Sequence, residues 1–228
     1  TPEQDGRRIM LGWFSNWQYA GKTPERNWRG AFTLPRELIL NRSAEGLTVR
    51  QLPIREVSTL RPSEPAVVRK NIVLDSAQAY DLFNKQLQAG TAALQERSFE
   101  IEADFLAGSA TEFGISVLAG ATEETKIGFN TKQSIAFVDR RNSGTVDFSP
   151  LFAGRQQAPI HWTGAGRLHI FVDRSTVEVF VNSGEATIAD RVYPSAESAG
   201  VRVFATDGSV HLRQFRIWPL RSVWTQTQ

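Results

Sequence analysis

Asn16-Trp17-Gln18-Tyr19 is the run of side chains in this sequence best suited to ligand chemistry. Aromatic rings stack on the apolar faces of sugars, and flanking amides bind hydroxyls, so a polar loop carrying Trp17 and Tyr19 could hold a carbohydrate. Read from residue types alone, simple packing of Trp13, Trp17 and Trp28 is favoured over a pocket role. Asp173 and Glu178 are the carboxylates best spaced for acid–base work, five residues apart around a short turn. A turn Asp ordinarily accepts backbone hydrogen bonds. Glu178 is therefore expected on an exposed or inter-domain face and Asp173 in a turn. Glu100, Glu102 and Asp104 fall on one side of one strand, a pattern expected of a solvated face. His161, His169 and His211 have neither metal-ligand spacing nor a serine in a nucleophile-elbow setting. Gly164-Ala-Gly166 is too short for a phosphate cradle and precedes a strand. Arg29 either pairs with an acidic neighbour or lies on the surface.

These residues need strands to place them. Phe99, Ile101, Ala103 and Phe105 alternate with Glu100, Glu102 and Asp104, the period of a half-buried antiparallel strand. Phe113/Ile115/Val117, Leu168/Ile170/Val172, Val177/Val179/Val181 and Val201/Val203/Ala205 repeat it, and Val210 to Trp218 returns after an Asp207-Gly208 turn. Asp173-Arg174-Ser175 suits a hairpin. Short strands at near-regular spacing predict an all-β protein, a β-sandwich of two antiparallel sheets. Residues 8–15, 28–34 and 37–40 read as strands of a separate sheet. The stretch 57–66 reads as a linker between residues 1–56 and 67–228. Ala77 to Ala89 is the only predicted helix, with Tyr80, Phe83 and Leu87 near helical spacing before Gly90. Trp162, Trp218 and Trp224 could form a sugar-binding platform, fill the core or line an interface. The alternation of Phe215 and Ile217 assigns Trp218 to the core.

Composition narrows the function classes. Hydrophobic residues make up 41% of 228, enough for a core. The formal net charge is +2 without a Lys/Arg run, so the footprint of a nucleic-acid binder is missing. The sequence holds no long apolar stretch, which speaks against a membrane partner. The absence of Cys excludes disulfides, thiolate metal sites and a Cys nucleophile.

Two stretches carry a resemblance. Gly12-Trp-Phe-Ser-Asn-Trp-Gln-Tyr-Ala20 is followed by Thr23-Pro24, Trp28-Arg29 and Pro35-Arg36-Glu37-Leu38. Val172-Asp-Arg-Ser-Thr-Val-Glu-Val-Phe180 is followed by Asn182-Ser-Gly184 and Tyr193-Pro194. In this order they resemble the C-terminal part of glycoside hydrolase family 32, the levanases, exo-inulinases and invertases. The resemblance implies the last strands of a five-bladed β-propeller, then the β-sandwich. It implies a retaining fructan hydrolase as the parent enzyme, with fructan or sucrose as ligand and no metal or organic cofactor. It places Trp17 in the wall of the fructosyl pocket, with Asn16 and Tyr19 beside it, and leaves Trp13 and Trp28 as core and Trp224 at an interface. The family's catalytic Asp-Pro-Asn-Gly, Arg-Asp-Pro and Glu-Cys motifs do not occur here. No catalytic residue is therefore assigned, and an N-terminal propeller part is expected as the missing partner. Three roles stay open: structural support of the parent enzyme with possible homo-oligomer contacts, a fructan-binding lectin-like module, and an active hydrolase with relocated carboxylates. The Trp-rich loop resembles polysaccharide-degrading members, which implies an extracellular location.

Overall fold

A computed structural model describes residues 5–25, 29–43, 46–76, 80–83, 94 and 96–223. Two six-stranded antiparallel sheets make the sandwich. The first runs β10(Arg155–Pro159), β9(Ile135–Asp139), β8(Thr125–Asn130), β7(Glu112–Ala119), β14(Gly200–Thr206), β5(Tyr80–Phe83). The second runs β13(Ala186–Arg191), β12(Thr176–Val181), β11(Ala165–Asp173), β6(Ser98–Ala107), β15(Ser209–Pro219), β4(Val67–Asp75). Before them lies a three-stranded antiparallel sheet, β1(Ile9–Met10), β2(Arg36–Ser43), β3(Gly46–Pro53).

The expected alternation builds the core. Phe99, Ile101, Ala103 and Phe105 of β6 are at most 1% exposed and face Phe113, Ile115 and Phe129 of the other sheet. Phe105, Phe113 and Phe129 meet at centroid distances of 5.4–6.4 Å, and Trp162 closes the cluster at 5.3 Å from Phe129. Burying rings of this size is a large stabilising contribution to the core. Trp162 thus packs against the core.

Several expectations need correction. Tyr80–Phe83 is strand β5, not helix. Pairing with β14 satisfies its backbone groups while Leu82 and Phe83 enter the core, so tertiary pairing overrides local spacing. The rest of the predicted helix, residues 77–79 and 84–89, lies outside the described residues. The apolar stretch 8–15 forms only the two-residue β1 and a single bridge from Trp13 to Phe32, which is also all the described pairing of the stretch 28–34. Trp218 is 3% exposed, yet it faces outward from its sheet. The apolar residues of β15 step from Leu212 to Phe215, and a bulge at Arg213 absorbs the extra residue. Residues 55–60 form a 3-10 helix with Val57 buried beneath it.

Strands β1 and β3 are the edges of the small sheet, and Ile39, Leu40, Leu47 and Val49 on β2 and β3 are exposed. Unpaired edges beside apolar side chains template association. The 228-residue chain is expected to self-associate, seen as a sedimentation coefficient that rises with concentration. Replacing Leu40 and Val49 by Lys should flatten that dependence, and a monodisperse wild-type monomer would contradict it.

Candidate functional site

The loop that carries Trp17 has a foot in the sandwich and a tip in solvent. Its start is tied to the segment before β2, with the Phe14 amide donating to the Ala31 carbonyl at 2.7 Å and the Thr33 amide to the Gly12 carbonyl at 2.9 Å. The Asn16 side-chain oxygen accepts the Gln18 amide at 2.9 Å, and its carbonyl accepts the Ala20 amide at 2.8 Å. This side-chain-to-backbone turn throws residue 17 outward. Trp17 is 87% exposed and leans on Trp13, with ring centroids 4.7 Å apart at 47°. Trp13 is itself 45% exposed, so it supports Trp17 instead of filling a core. Trp17 and Trp13 make an exposed aromatic ledge, and Phe32, also exposed, pairs with Trp13 through a backbone bridge.

Tyr19 turns the other way. It is 7% exposed and meets Phe152 edge-on at 5.4 Å and Phe148 at 6.4 Å. Its hydroxyl accepts a hydrogen bond from the Arg140 guanidinium at 3.1 Å. Arg140 also donates to the Phe152 carbonyl at 2.9 Å, pairs with Asp190 at 2.9 Å and lies over the Phe152 ring at 4.2 Å. Burial pushes the Asp190 carboxyl up to about 7, against the opposing pull of Arg140. One residue on, Arg191 forms a buried ion pair with Glu25 at the end of the loop and donates to the Ser175 carbonyl at 3.2 Å. The sandwich therefore grips the loop at Tyr19 and Glu25 and leaves Trp17 free. Asn16 is exposed beside Trp17, and Arg29 lies on the surface. Trp28 and Trp224 lie outside the described residues.

A second seam holds the small sheet to the sandwich. Glu178, 4% exposed, accepts the Leu34 amide at 2.6 Å and pairs with Arg36 at 2.7 Å. Burial raises the Glu178 carboxyl, while Arg36 and the Leu34 amide pull it back. Arg36 donates onward to Gln51 at 2.9 Å, and the Gln51 amide donates to the Gly184 carbonyl at 3.1 Å. Gly184 has φ +84°, and a Cβ there would lie 2.4 Å from the Gln51 carbonyl oxygen, so this contact requires glycine. Val57, Phe171 and Phe180 fill the space alongside with Leu34, Ile54 and Leu220. Glu178, expected on an exposed or inter-domain face, is buried where the small sheet meets the sandwich.

The reading of Glu100 and Glu102 as solvated is overturned. They are 3% and 9% exposed. Glu100 accepts from Arg61 at 2.6 Å and bonds the His169 ring at 2.7 Å, while Glu102 pairs with Arg167 at 3.0 Å and with Arg216. Arg61 stacks on Trp218 at 4.2 Å. The side-chain ligand atoms of Glu100, Glu102 and His169 lie within 4.8 Å of one another. Three guanidinium groups, those of Arg61, Arg167 and Arg216, neutralise this carboxylate pair under the 55–61 segment. Sequence reasoning missed Arg140, Asp190 and Arg191. The available signal was the pair Asp190-Arg191 set between Ile188 and Val192, charges inside an apolar run.

Comparison with known proteins supplies the context. The model of "Glycosyl hydrolases family 32 C terminal" matches residues 56–219, and that of "Glycosyl hydrolases family 32 N-terminal domain" matches residues 1–53. The levanase of Bacillus subtilis (strain 168) is 40% identical over 230 residues, covering 99% of this chain and 32% of the levanase. The extracellular exo-inulinase of Aspergillus awamori is 31% identical, over 95% of this chain and 39% of its own length. The crystal structure of exo-inulinase from Aspergillus awamori superimposes with a TM-score of 0.82 at 30% identity, covering 95% of this chain and 41% of that one. The chain thus spans between 32% and 41% of the length of these relatives.

Two outcomes test the grip on the loop. At pH 8, Arg140→Met should lower stability by about 3 kcal/mol in urea, because it leaves Asp190 buried without its partner. The same change should speed hydrogen exchange at the Tyr19 and Ala20 amides. The folded Asp190 carboxyl keeps its proton to about pH 7, whereas an unfolded Asp loses it near 3.8, so the folded state binds the extra proton between those values. Its contribution to stability therefore falls as pH rises across that window and is level above it. Asp190→Asn should remove this slope, read as a wild-type minus variant difference in urea midpoint that shrinks from pH 4 to 7.

Proposed function

The chain belongs to glycosyl hydrolases family 32, and from that premise we propose that it is the last propeller blade and supporting sandwich of a secreted, retaining fructan hydrolase. The observation that carries this reading is the Trp13–Trp17 ledge, an exposed aromatic pair held by a loop whose foot is locked into the sandwich.

Retaining hydrolysis of a fructosyl linkage needs two carboxyl groups about 5–5.5 Å apart, a nucleophile and an acid with raised pKa. In the proposed enzyme both come from outside this chain. Glu100 and Glu102 are committed to arginines, and Glu178 is committed to Arg36 and Leu34. The chain's own contribution is binding and orientation. The Trp17 face stacks on the apolar face of the terminal fructosyl unit, Asn16 contacts hydroxyls at its edge, and Tyr19 fixes the loop from below. Orientation of this kind lowers the barrier without supplying a reacting group. Levan and inulin are the substrates favoured by the relatives' names, and the extracellular exo-inulinases support a secreted protein.

Assays of the purified chain on levan, inulin and sucrose test the division of labour. No fructose release above the blank is expected, and release that survives repurification would overturn it. Levan oligosaccharides at millimolar concentration should quench tryptophan fluorescence weakly, and Trp17→Ala should abolish the quenching. Quenching that persists in Trp17→Ala would move binding to the sandwich and favour a lectin-like module.

A further inference from the structure

The outward face of the second sheet is organised in cross-strand rows. One row joins Trp218, Glu100, Phe171 and Glu178, and the next joins Arg216, Glu102, His169 and Phe180. Both lie at the seam with the 34–61 segment. The third row, Lys70, Gln214, Asp104 and Arg167, directly opposite one another on β4, β15, β6 and β11, borders a depression of about 570 Å³. Next to this row the backbone leaves regular geometry. Arg213 is a bulged residue in β15, and Asn71, at the matching point of β4, has φ 55°. Bulges re-aim side chains, and a strand residue held at positive φ is strained backbone of the kind that gathers at ligand sites.

The chemistry of this depression is unlike that of the Trp17 ledge. Three cations, Lys70, Arg167 and Arg213, border it with a single carboxylate, Asp104. Glu102 fixes Arg167 in place at 3.0 Å. Among the described residues, the side chains of Lys70, Asn71, Arg213 and Gln214 have no hydrogen-bond or ion-pair partner. The only aromatic residue in the lining, Phe105, is buried in the core, so a neutral sugar finds no stacking surface. The volume suits a saccharide unit and exceeds what a bare oxyanion fills. We propose that this depression binds an acidic saccharide. The carboxylate lies between Arg213 and Lys70, where paired N–H donors and point charge meet an oxyanion, and Asn71 and Gln214 bind hydroxyls. This second site does not depend on the fructan reading of the Trp17 ledge.

Calorimetric titration of the whole 228-residue chain tests it with trigalacturonate, inorganic phosphate and the neutral trisaccharide kestose. Trigalacturonate is expected to bind at least about tenfold tighter than either other probe, and to weaken as sodium chloride is raised. Arg213→Gln should weaken it by about tenfold, the loss of one charged contact. Lys132→Gln, the same charge change on an exposed turn of the other sheet, should leave binding unchanged. The thermal midpoint reports whether the Arg213 variant folds, and Lys70→Gln serves as the alternative if it does not. The proposal is overturned by no heat with trigalacturonate, by phosphate or kestose binding equally well, or by equal losses in Arg213→Gln and Lys132→Gln.

Discussion

A carboxylate buried between two sheets must be neutralised, and Glu178 sets that condition for the whole molecule. Its two oxygens are shared between the Leu34 amide and Arg36, 144 and 142 residues away in sequence. A buried pair of this kind adds little net stability over an apolar contact, because desolvation offsets most of the attraction. Losing one partner is costly, since the other charge is then stranded. The pair therefore selects one placement of the small sheet on the sandwich and penalises every other. The Gln51–Gly184 contact and the Val57–Phe171–Phe180 cluster follow from that placement.

The same logic recurs at the Trp17 loop. Arg140 and Arg191 reach out of the sandwich to Tyr19 and Glu25, and Asp190 neutralises the first of them. The Trp17 ring is exposed while the backbone beneath it is held. The rigidity comes from the sandwich, whose arginines reach the foot of the loop. The aromatic packing of Tyr19 against Phe148 and Phe152 shields these charges from water, which strengthens each interaction.

The outward face of the second sheet divides its charge by row. Where the 34–61 segment covers it, carboxylates and guanidiniums cancel in pairs. Past Glu102 the cancellation stops, and cations outnumber carboxylates beside the bulge at Arg213. One sheet thus presents a sealed electrostatic seam and an open basic depression within three side-chain rows.

The β-sandwich was legible in the sequence because strand periodicity is a local property. Phe99 to Phe105 and Leu168 to Val172 alternate as they pack, and the Asp173-Arg174-Ser175 hairpin falls where turn chemistry put it. The face shared by Glu100, Glu102 and Asp104 was legible too, as was the loop that carries Trp17. What covers a face was not. Whether Glu100 meets water or Arg61, whether Tyr19 faces a ligand or Arg140, and whether Trp13 fills a core or props up Trp17 all depend on segments distant in sequence. Spacing at Tyr80 and Phe83 pointed to a helix, and pairing with β14 made a strand. Sequence by itself determined which side chains share a face, since backbone geometry repeats every two residues. Only the tertiary structure decided which faces are buried and which charges are paired, because those contacts join residues up to 144 positions apart.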